Sequence, residues 1–293
     1  MRHVAQAMRQ GAAFPAYKAD GTWDRKTYVE KSDTAAYRNA VAGYLKYLNA
    51  GIDSTKIKPV KPVKPEKPAK PFSPKDIDDL LLWLDASRLN LDDEDRVYTW
   101  ADQSGKGNHA VATAGREPTY LVNQLNGKPV IWFEGNEELL TLIRPREADF
   151  ADGVTVFLVA KFFDDGFALG SWWDPRLFLG VWSGAVPAED SGVQSGFGNN
   201  WQRDVESARF YQWRILEMVS DGEEVVVYDD GEVVNDYAAT FTGTNQHYLA
   251  IGNANGTTYY FEGDMAEVLI YKGTLDDDDR EDIENYLKDK YFD

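Results

Sequence analysis

The chain contains no cysteine, which excludes disulfide bonds, thiol nucleophiles and cysteine-bound zinc. Histidine is scarce, with His3, His109 and His247 as its only copies. A serine-hydrolase triad needs a basic histidine beside its nucleophile, and no Gly-x-Ser-x-Gly elbow occurs. Phosphate-binding glycine loops are absent as well. The sequence therefore gives little support to hydrolytic or phosphoryl-transfer activity.

Long apolar runs are also missing. No stretch approaches the roughly 18 consecutive apolar residues of a membrane-spanning helix. The first residues, MRHVAQ, lack the apolar segment of an export signal. We therefore expect that the protein is made in the cytoplasm of the producing cell and does not insert into a membrane.

The net charge of −18 is unevenly distributed along the chain. Residues 1–75 carry fifteen Lys or Arg against six Asp or Glu, whereas residues 76–293 carry sixteen against forty-three. The acidic part should repel nucleic acid and anionic membranes. The basic part is suited to an acidic protein surface, although its lysines are equally explained as solubilising a proline-rich linker.

A Lys-Pro repeat separates these two parts. Proline and lysine each recur with a period of three, at Pro59, Pro62, Pro65, Pro68, Pro71 and Pro74 and at Lys58, Lys61, Lys64, Lys67 and Lys70. A polyproline II helix has three residues per turn, so the repeat predicts a stiff rod of roughly 50 Å. We interpret residues 57–75 as a rigid linker; a docking peptide for a proline-binding domain is the alternative.

The segment before the linker, residues 1–56, is predicted to be a basic anchor module. A helix capped at Asp33 or Thr34 should run to about residue 48 and end before Gly51. Its apolar face would be formed by Tyr37, Val41, Tyr44, Leu45 and Leu48. One such helix cannot bury this face alone, so we expect it to complete its core on a partner or on copies of itself. A small self-sufficient helical domain is the alternative.

After the linker the pattern changes to short strands with Gly and Asn turns. Residues 154–162 read as a buried strand, residues 224–234 as a hairpin with an Asp-Gly turn, and residues 247–252 and 265–271 as two more strands. A final helix should begin after Asp276, with an apolar stripe of Ile283, Tyr286, Leu287 and Tyr291. These signals predict a mainly β fold for residues 76–293, a two-sheet antiparallel jelly-roll sandwich with a C-terminal helix.

Several segments of this region form a recognisable series, namely residues 82–87 (LWLDAS), 97–110 (VYTWADQSGKGNHA), 118–120 (PTY), 126–135 (NGKPVIWFEG) and 263–271 (GDMAEVLIY). In this order they resemble the laminin-G-like branch of the concanavalin A-type lectin/glucanase jelly rolls. The resemblance covers residues 80 to 293 and implies a fold more specifically than a ligand. Such modules occur on bacterial surface proteins and phage virions. We expect Asp102, Ser104, Gly105 and Gly107 to form a structural corner, and Trp83, Trp100 and Trp132 to be core residues.

Residues 262–267 (EGDMAE) raise the question of catalysis. They match the Glu-x-Asp-x-x-Glu pattern of jelly-roll endoglucanases, which would make Glu262, Asp264 and Glu267 candidate catalytic carboxylates. The same residues also fit the Gly-Asp-x-Ala-Glu-Val strand of the non-catalytic branch, and the flanking sequence favours that second interpretation. We therefore predict a protein without enzyme activity.

The middle of the domain contains the candidate ligand-binding residues. Aromatic faces stack on sugars, and amide, carboxylate and guanidinium groups bond to their hydroxyls. The candidates are Trp172, Trp173, Asp174, Arg176, Asn199, Asn200, Trp201 and Arg203. Arg209, Tyr211 and Trp213 alternate nearby and face either the same site or the core. The alternative is that these tryptophans cover the edge of the sandwich.

The leading hypothesis is a phage virion surface protein, either a capsid decoration protein or a head fibre. Residues 1–56 would bind the major capsid protein or another virion protein, with self-association possible, and residues 76–293 would bind surface glycans. No cofactor is expected; structural calcium has no motif to support it, because Asp276 to Asp279 lack the alternation and glycine of a calcium loop. The alternatives are a jelly-roll glycoside hydrolase, a tail-fibre or adhesin receptor-binding protein, and a passive structural cap.

Overall fold

The computed structural model describes nine ranges of the chain, and three stretches within them by backbone alone, namely 14–17, 23–29 and 143–146. The ranges are residues 14–17, 23–29, 71–146, 150–171, 176–182, 192–204, 209–241, 248–254 and 259–293. The chain divides into two units, residues 1–70 and 71–293. Each unit is considered by itself.

The first unit contains an antiparallel strand pair, β1 (Phe14–Tyr17) and β2 (Trp23–Val29). The sequence patterns above did not predict these strands. The predicted helix, with its face of Tyr37, Val41, Tyr44, Leu45 and Leu48, lies outside the described residues. The Lys-Pro repeat up to residue 70 lies outside them as well, so both features remain predictions.

The second unit contains sixteen described strands and one α-helix. In chain order they are β3 (Leu80–Asp85), β4 (Thr99–Trp100), β5 (Ala110–Ala112), β6 (Thr119–Leu125), β7 (Lys128–Glu134), β8 (Leu140–Arg146), β9 (Val154–Phe162), β10 (Gly166–Ser171), β11 (Arg176–Trp182), β12 (Gly192–Gly198), β13 (Asn200–Arg203), β14 (Trp213–Ser220), β15 (Glu224–Asp229), β16 (Glu232–Ala238), β17 (Tyr248–Ile251), β18 (Glu262–Lys272) and α1 (Asp277–Tyr291).

These strands form two antiparallel sheets. The first sheet has the order β16-β15-β14-β9-β18-β7-β6, and β3 pairs with the second half of β18. The second sheet has the order β13-β12-β11-β10-β17-β8-β5-β4. Apolar residues from the facing sides of both sheets fill one continuous core. The predicted two-sheet sandwich is therefore confirmed.

Strand β9 shows why the first sheet is hydrophobic on both sides. Val156 and Leu158 point into the inter-sheet core, while Phe157 and Val159 pack on the opposite, outer side. An uninterrupted apolar run is expected of a strand that is covered on both faces. The cover on the outer side is α1, which lies over one half of the sheet.

Helix α1 begins and packs as its sequence predicts. The Asp276 carboxylate accepts a hydrogen bond of 2.9 Å from the Asp279 N–H, which caps the helix. Ile283, Leu287 and Tyr291 are buried against the outer face of the first sheet. None of the described helices is long and apolar enough to cross a membrane.

The last part of the Lys-Pro segment packs on the same face. Pro74 opens a short 3₁₀ turn capped by Ser73, and the Tyr271 hydroxyl donates a hydrogen bond of 2.9 Å to the Pro74 carbonyl. The Phe72 ring lies 6.1 Å from that of Tyr286 on α1. Residues 71–76 are therefore fixed to the sandwich.

The predicted corner near residue 102 is confirmed. The Asp102 carboxylate accepts hydrogen bonds from the backbone N–H groups of Trp83, Ser104 and Asn108, at 2.8 to 3.0 Å. Gly105 and Gly107 have positive φ angles of 91° and 77°. Burial opposes ionisation of Asp102, but these hydrogen bonds outweigh it and lower its pKa.

Candidate functional site

The outer face of the second sheet is built from two rows of side chains that run across strands β10 to β13. Directly opposed residues in antiparallel strands point to the same side, so strand pairing defines each row. The first row is Gly170, Phe178, Gly196 and Trp201. The second row is Phe167, Gly180, Gln194 and Arg203.

Glycines shape this face by leaving room for aromatic rings. A Cβ atom added to Gly196 would lie 2.2 Å from the Phe178 ring, and one added to Gly180 would lie 2.9 Å from the Phe167 ring. Both rings therefore lie against the sheet instead of standing away from it. Phe167 and Phe178 also meet edge to face, with centroids 4.9 Å apart.

The edge of this face combines an exposed indole with polar groups. Trp201 is 43% exposed, and Arg203 is half-buried two residues further along the same strand. Gln194, opposite Arg203, is only 2% exposed, and its Oε1 has no hydrogen-bond donor among the described residues. A buried acceptor without a donor costs about 1–3 kcal/mol, but this oxygen has no surface that a ligand could reach.

A second group of aromatic rings lies on β11 and on the segment that precedes β18. Trp182 stacks with Phe167 at 6.3 Å and meets Tyr259 edge to face at 4.2 Å. Tyr259 is 43% exposed. The face therefore presents aromatic surface at two places, around Trp201 and around Tyr259.

The structure places the predicted ligand-binding residues in different settings. Trp172, Trp173 and Asp174 lie outside the described residues. Arg176 is paired with Gly198 across β11 and β12. The remaining residues belong to the β12–β13 hairpin.

Two residues of the β12–β13 hairpin form hydrogen bonds with the backbone at the end of β16 and just after it. The Asn199 amide oxygen accepts from the Thr240 N–H at 3.0 Å, and the Asn200 amide donates to the Ala238 carbonyl at 2.7 Å. These bonds join the edge of the second sheet to the chain that leaves β16. Asn199 and Asn200 therefore have a structural task, whereas Trp201 and Arg203 are directed to the outer face.

Arg209, Tyr211 and Trp213 belong to the first sheet and its flank. Arg209 forms ion pairs of 2.6 Å with Asp229 and 2.7 Å with Asp230. Tyr211 is 71% exposed and stacks on Phe163 at 5.5 Å. The three residues therefore do not join the site around Trp201.

The three candidate carboxylates share strand β18 but have different surroundings. Glu262 is partly exposed, and burial together with Asp164 and Glu134 raises its pKa. Asp264 forms an ion pair of 2.6 Å with Lys161. Burial raises the pKa of Asp264, although Lys161 opposes the shift.

Glu267 is completely buried beneath α1. Its carboxylate accepts hydrogen bonds from Trp83 Nε1, the Tyr286 and Tyr291 hydroxyls and Lys290 Nζ, at 2.6 to 2.9 Å. Burial raises its pKa, and Lys290 opposes that shift. This arrangement fastens the helix to the sheet, and it leaves a substrate no access to the carboxylate.

No group of three His, Asp or Glu side chains that could hold a metal ion occurs in the described part of the chain.

The tryptophans expected in the core divide into two classes. Trp83 and Trp100 are buried, as predicted. Trp132 is only partly buried and lies on the outer face of the first sheet.

Comparison with known proteins shows which domains this one is similar to. Residues 143–279 match the family model described as the concanavalin A-like lectin/glucanases superfamily, of laminin-G type. The resemblance predicted from the sequence is therefore confirmed over that segment. No protein with a curated description matches the chain.

Solved structures with a similar fold include the binding domain of Paraclostridial Mosquitocidal Protein 1 (11% identity, TM-score 0.52, 73% of this chain and 53% of that chain). Another is an arabinofuranosidase complexed with arabinofuranosyl-alpha-1,2-xylobiose (10% identity, TM-score 0.51, 65% and 50%). A third is domain 4 of AbnA, a GH43 extracellular arabinanase from Geobacillus stearothermophilus, with arabinotriose (19% identity, TM-score 0.48, 68% and 94%). The alignments span about half of the first two proteins, and identities this low show the fold alone.

The sequence patterns gave Trp201 and Arg203 as candidate ligand contacts, which remain predictions, and did not point to their neighbour Gln194. A glutamine in an apolar strand carries no pattern of its own. Its place beside Trp201 follows from strand register, which the sequence does not specify between distant segments. The glycines at positions 170, 180 and 196, two of them within apolar strands, were the available signal for closely packed rings.

Proposed function

We propose that this lectin-type sandwich binds glycans through the outer face of its second sheet. The observation that carries the proposal is the exposed indole of Trp201 beside the partly exposed Arg203 on the same strand. Glycan sites combine a flat aromatic surface with a few fixed polar groups. This face has both.

Each part of the face has a chemical task in the proposal. The indole of Trp201 stacks against the apolar side of a sugar ring. The Arg203 guanidinium donates to ring or hydroxyl oxygens of the sugar. One shallow contact of this kind binds weakly, so useful affinity requires many copies on one particle.

The test is a glycan array probed with a multivalent form of the full chain. Trp201→Ala should lower the apparent affinity for glycans bound at this face by about tenfold, equivalent to about 1.4 kcal/mol. Tyr98→Ala is the matched control, because Tyr98 is an exposed aromatic next to β4, at the opposite edge of the same sheet. Equal binding by wild type and Trp201→Ala would refute the site, and an array without any bound glycan would refute the function.

We further propose that the chain is a virion surface protein without enzyme activity. A basic N-terminal segment, a period-three Lys-Pro repeat and an acidic lectin-type domain suit a protein that docks at one end and displays the other. The proposed partner of residues 1–56 is the major capsid protein or another virion protein, and copies of the chain are the alternative partner. Mass analysis of purified phage particles that found no such chain would refute this assignment.

The competing assignment is a carbohydrate-active enzyme that uses Glu262 and Asp264. Glycan turnover should be measured for the wild type and for Glu262→Gln. We expect no product from either protein. Product formation by the wild type that disappears in Glu262→Gln would establish the enzyme instead.

A further inference from the structure

On the outer face of the first sheet, α1 packs over the second half of β18 and its neighbours, and Trp213 of β14 adjoins the C-terminal end of the helix. Next to this contact, strand pairing aligns one residue from each of five neighbouring strands, β6, β7, β18, β9 and β14. This aligned row consists of Thr119, Trp132, Asp264, Lys161 and Trp213. Because directly opposed residues point to the same side of a sheet, these five side chains lie on one face, which we call the open-half row. Its surface is formed by the partly exposed Trp132, Lys161 and Trp213, while Thr119 and Asp264 are buried between them.

The row alternates aromatic and polar groups. Trp132 and Trp213 are three strand spacings apart, about 14 Å. Between them the Lys161 ammonium pairs with the Asp264 carboxylate at 2.6 Å. Lys161 Nζ also lies 5.0 Å from the ring centres of Trp213 and Phe163. The pair is therefore fixed in position between two indoles.

A depression of about 370 Å³ continues the row beyond Trp132. It is lined by Glu94, Arg96, Thr119, Leu121 and Trp132. Arg96 donates to the Glu117 carbonyl and the Thr119 hydroxyl through Nη1. Both bonds use the two hydrogens of that one nitrogen, and the other three N–H groups of the guanidinium form no hydrogen bond with the described residues and can serve a ligand.

We propose that the open-half row and this depression form a second carbohydrate-binding surface, for a neutral, linear glycan that lies across the strands. One sugar ring stacks on Trp132 with its hydroxyls bonded to Arg96 and Glu94. The chain then passes the Lys161–Asp264 pair, and a further ring stacks on Trp213. A single sugar cannot reach both indoles, so the surface recognises several units of a chain.

Charge and size select this occupant over others. The cation in the row, Lys161, is neutralised by Asp264, and the cation in the depression, Arg96, shares that depression with Glu94. Glu134 and Glu262 lie opposite each other beside the row and form no ion pair with the described residues, so acidic glycans and nucleic acids are repelled. A protein partner of ordinary size covers about 800 Å² on each side. A row one residue wide beside α1 is too narrow for that.

Indole N–H signals of the ¹⁵N-labelled full chain provide a direct test, because nine tryptophans give nine signals. The probes are cellohexaose, xylohexaose, maltohexaose, arabinohexaose and hexagalacturonate. We expect one or more neutral hexasaccharides to shift the Trp132 and Trp213 signals together, and hexagalacturonate to shift neither. Trp132→Phe and Trp213→Phe assign the two signals with little change in packing.

Variants then locate the contact. Trp132→Ala and Arg96→Gln should each weaken binding of the active hexasaccharide at this surface by about tenfold. Arg96 is exposed, so Arg96→Gln tests the surface even if Trp132→Ala does not fold. Trp201→Ala, on the other sheet, should leave this affinity unchanged. The proposal is overturned if no neutral hexasaccharide shifts both signals, or if hexagalacturonate shifts them equally. Shifts confined to Trp201 and Trp182 would overturn it while supporting the site on the second sheet.

Discussion

Replacing Lys290 with methionine should reveal how much the buried ion cluster beneath α1 contributes to stability. The Lys290 ammonium lies 2.7 Å from an Asp85 oxygen and 2.6 Å from a Glu267 oxygen. Both carboxylates are 1% exposed or less. Methionine retains much of the apolar stem but leaves two buried carboxylates without their shared cation. Removing one partner of a buried ion pair costs about 3–5 kcal/mol, and we expect a loss of that size in the free energy of unfolding.

The loss should depend on pH in a defined direction. Burial raises the pKa of Glu267, and Lys290 holds that shift back. Without Lys290 the pKa of Glu267 rises further. As pH rises, the unfolded chain then loses the Glu267 proton at the ordinary pKa of glutamate, whereas the folded protein keeps it to a higher pH. A group of this kind favours folding at low pH and ceases to do so as pH rises through its folded-state pKa. The deficit of Lys290→Met should therefore be largest at neutral to alkaline pH and shrink on acidification.

Urea denaturation of the full chain, followed by tryptophan fluorescence across this pH range, measures the effect. Lys288→Met is the matched control: it is the same substitution two residues earlier, on a side chain that is 43% exposed and paired with Glu284. Because Arg280 also contacts Glu284, the control should lose about 1 kcal/mol or less. If Lys290→Met lost no more than this control, the argument that the cluster fastens α1 would be wrong.

Two further substitutions test other buried carboxylates. Burial raises the pKa of Glu217 to about 7 despite a hydrogen bond from Arg280, so its contribution to stability falls as pH rises from about 4.5 to 7. Glu217→Gln should remove that pH dependence. The difference in unfolding free energy between the variant and the wild type should therefore change by about 3 kcal/mol between pH 4.5 and 8. A difference that stays constant with pH would contradict the assignment. Asp102→Ala leaves three backbone N–H groups at the corner without their acceptor and should cost about 3 kcal/mol in urea denaturation, whereas Asp102→Asn, which retains one oxygen, should cost less. Equal losses in the two variants would contradict this account.

Local patterns predicted much of the sandwich. The β-branched run at Val154–Phe162 is strand β9 with the same bounds. The Asp-Gly turn lies between β15 and β16, with Asp230 and Gly231 both at positive φ. The cap at Asp276 starts α1. Each of these signals involves residues within a few positions of one another, where side-chain chemistry limits the backbone directly.

Contacts between distant segments could not be predicted in the same way. Gln194 lies beside Trp201 because β12 pairs with β13, and Trp132 lies in line with Trp213 because β18 and β9 separate their strands. These alignments depend on strand order and register, and a shift of one residue would turn every side chain to the other face. Composition indicated which residue types were available for a site, but only the register brought them together.

The position of α1 explains why one strand could be interpreted as catalytic or as structural. β18 contains Glu262, Asp264 and Glu267 on its outer side, and its register shifts between Met265 and Glu267. Glu267 lies under the helix, where four donors fix it, whereas Asp264 lies in the open-half row and Glu262 beside it. Residues 262–267 therefore have two different surroundings. The first half of the strand, with Glu262 and Asp264, is not covered by α1, whereas the second half, with Glu267, packs under the helix. A jelly roll whose final helix packed elsewhere would place all three carboxylates on one open face, so the helix position separates the two interpretations and the motif does not.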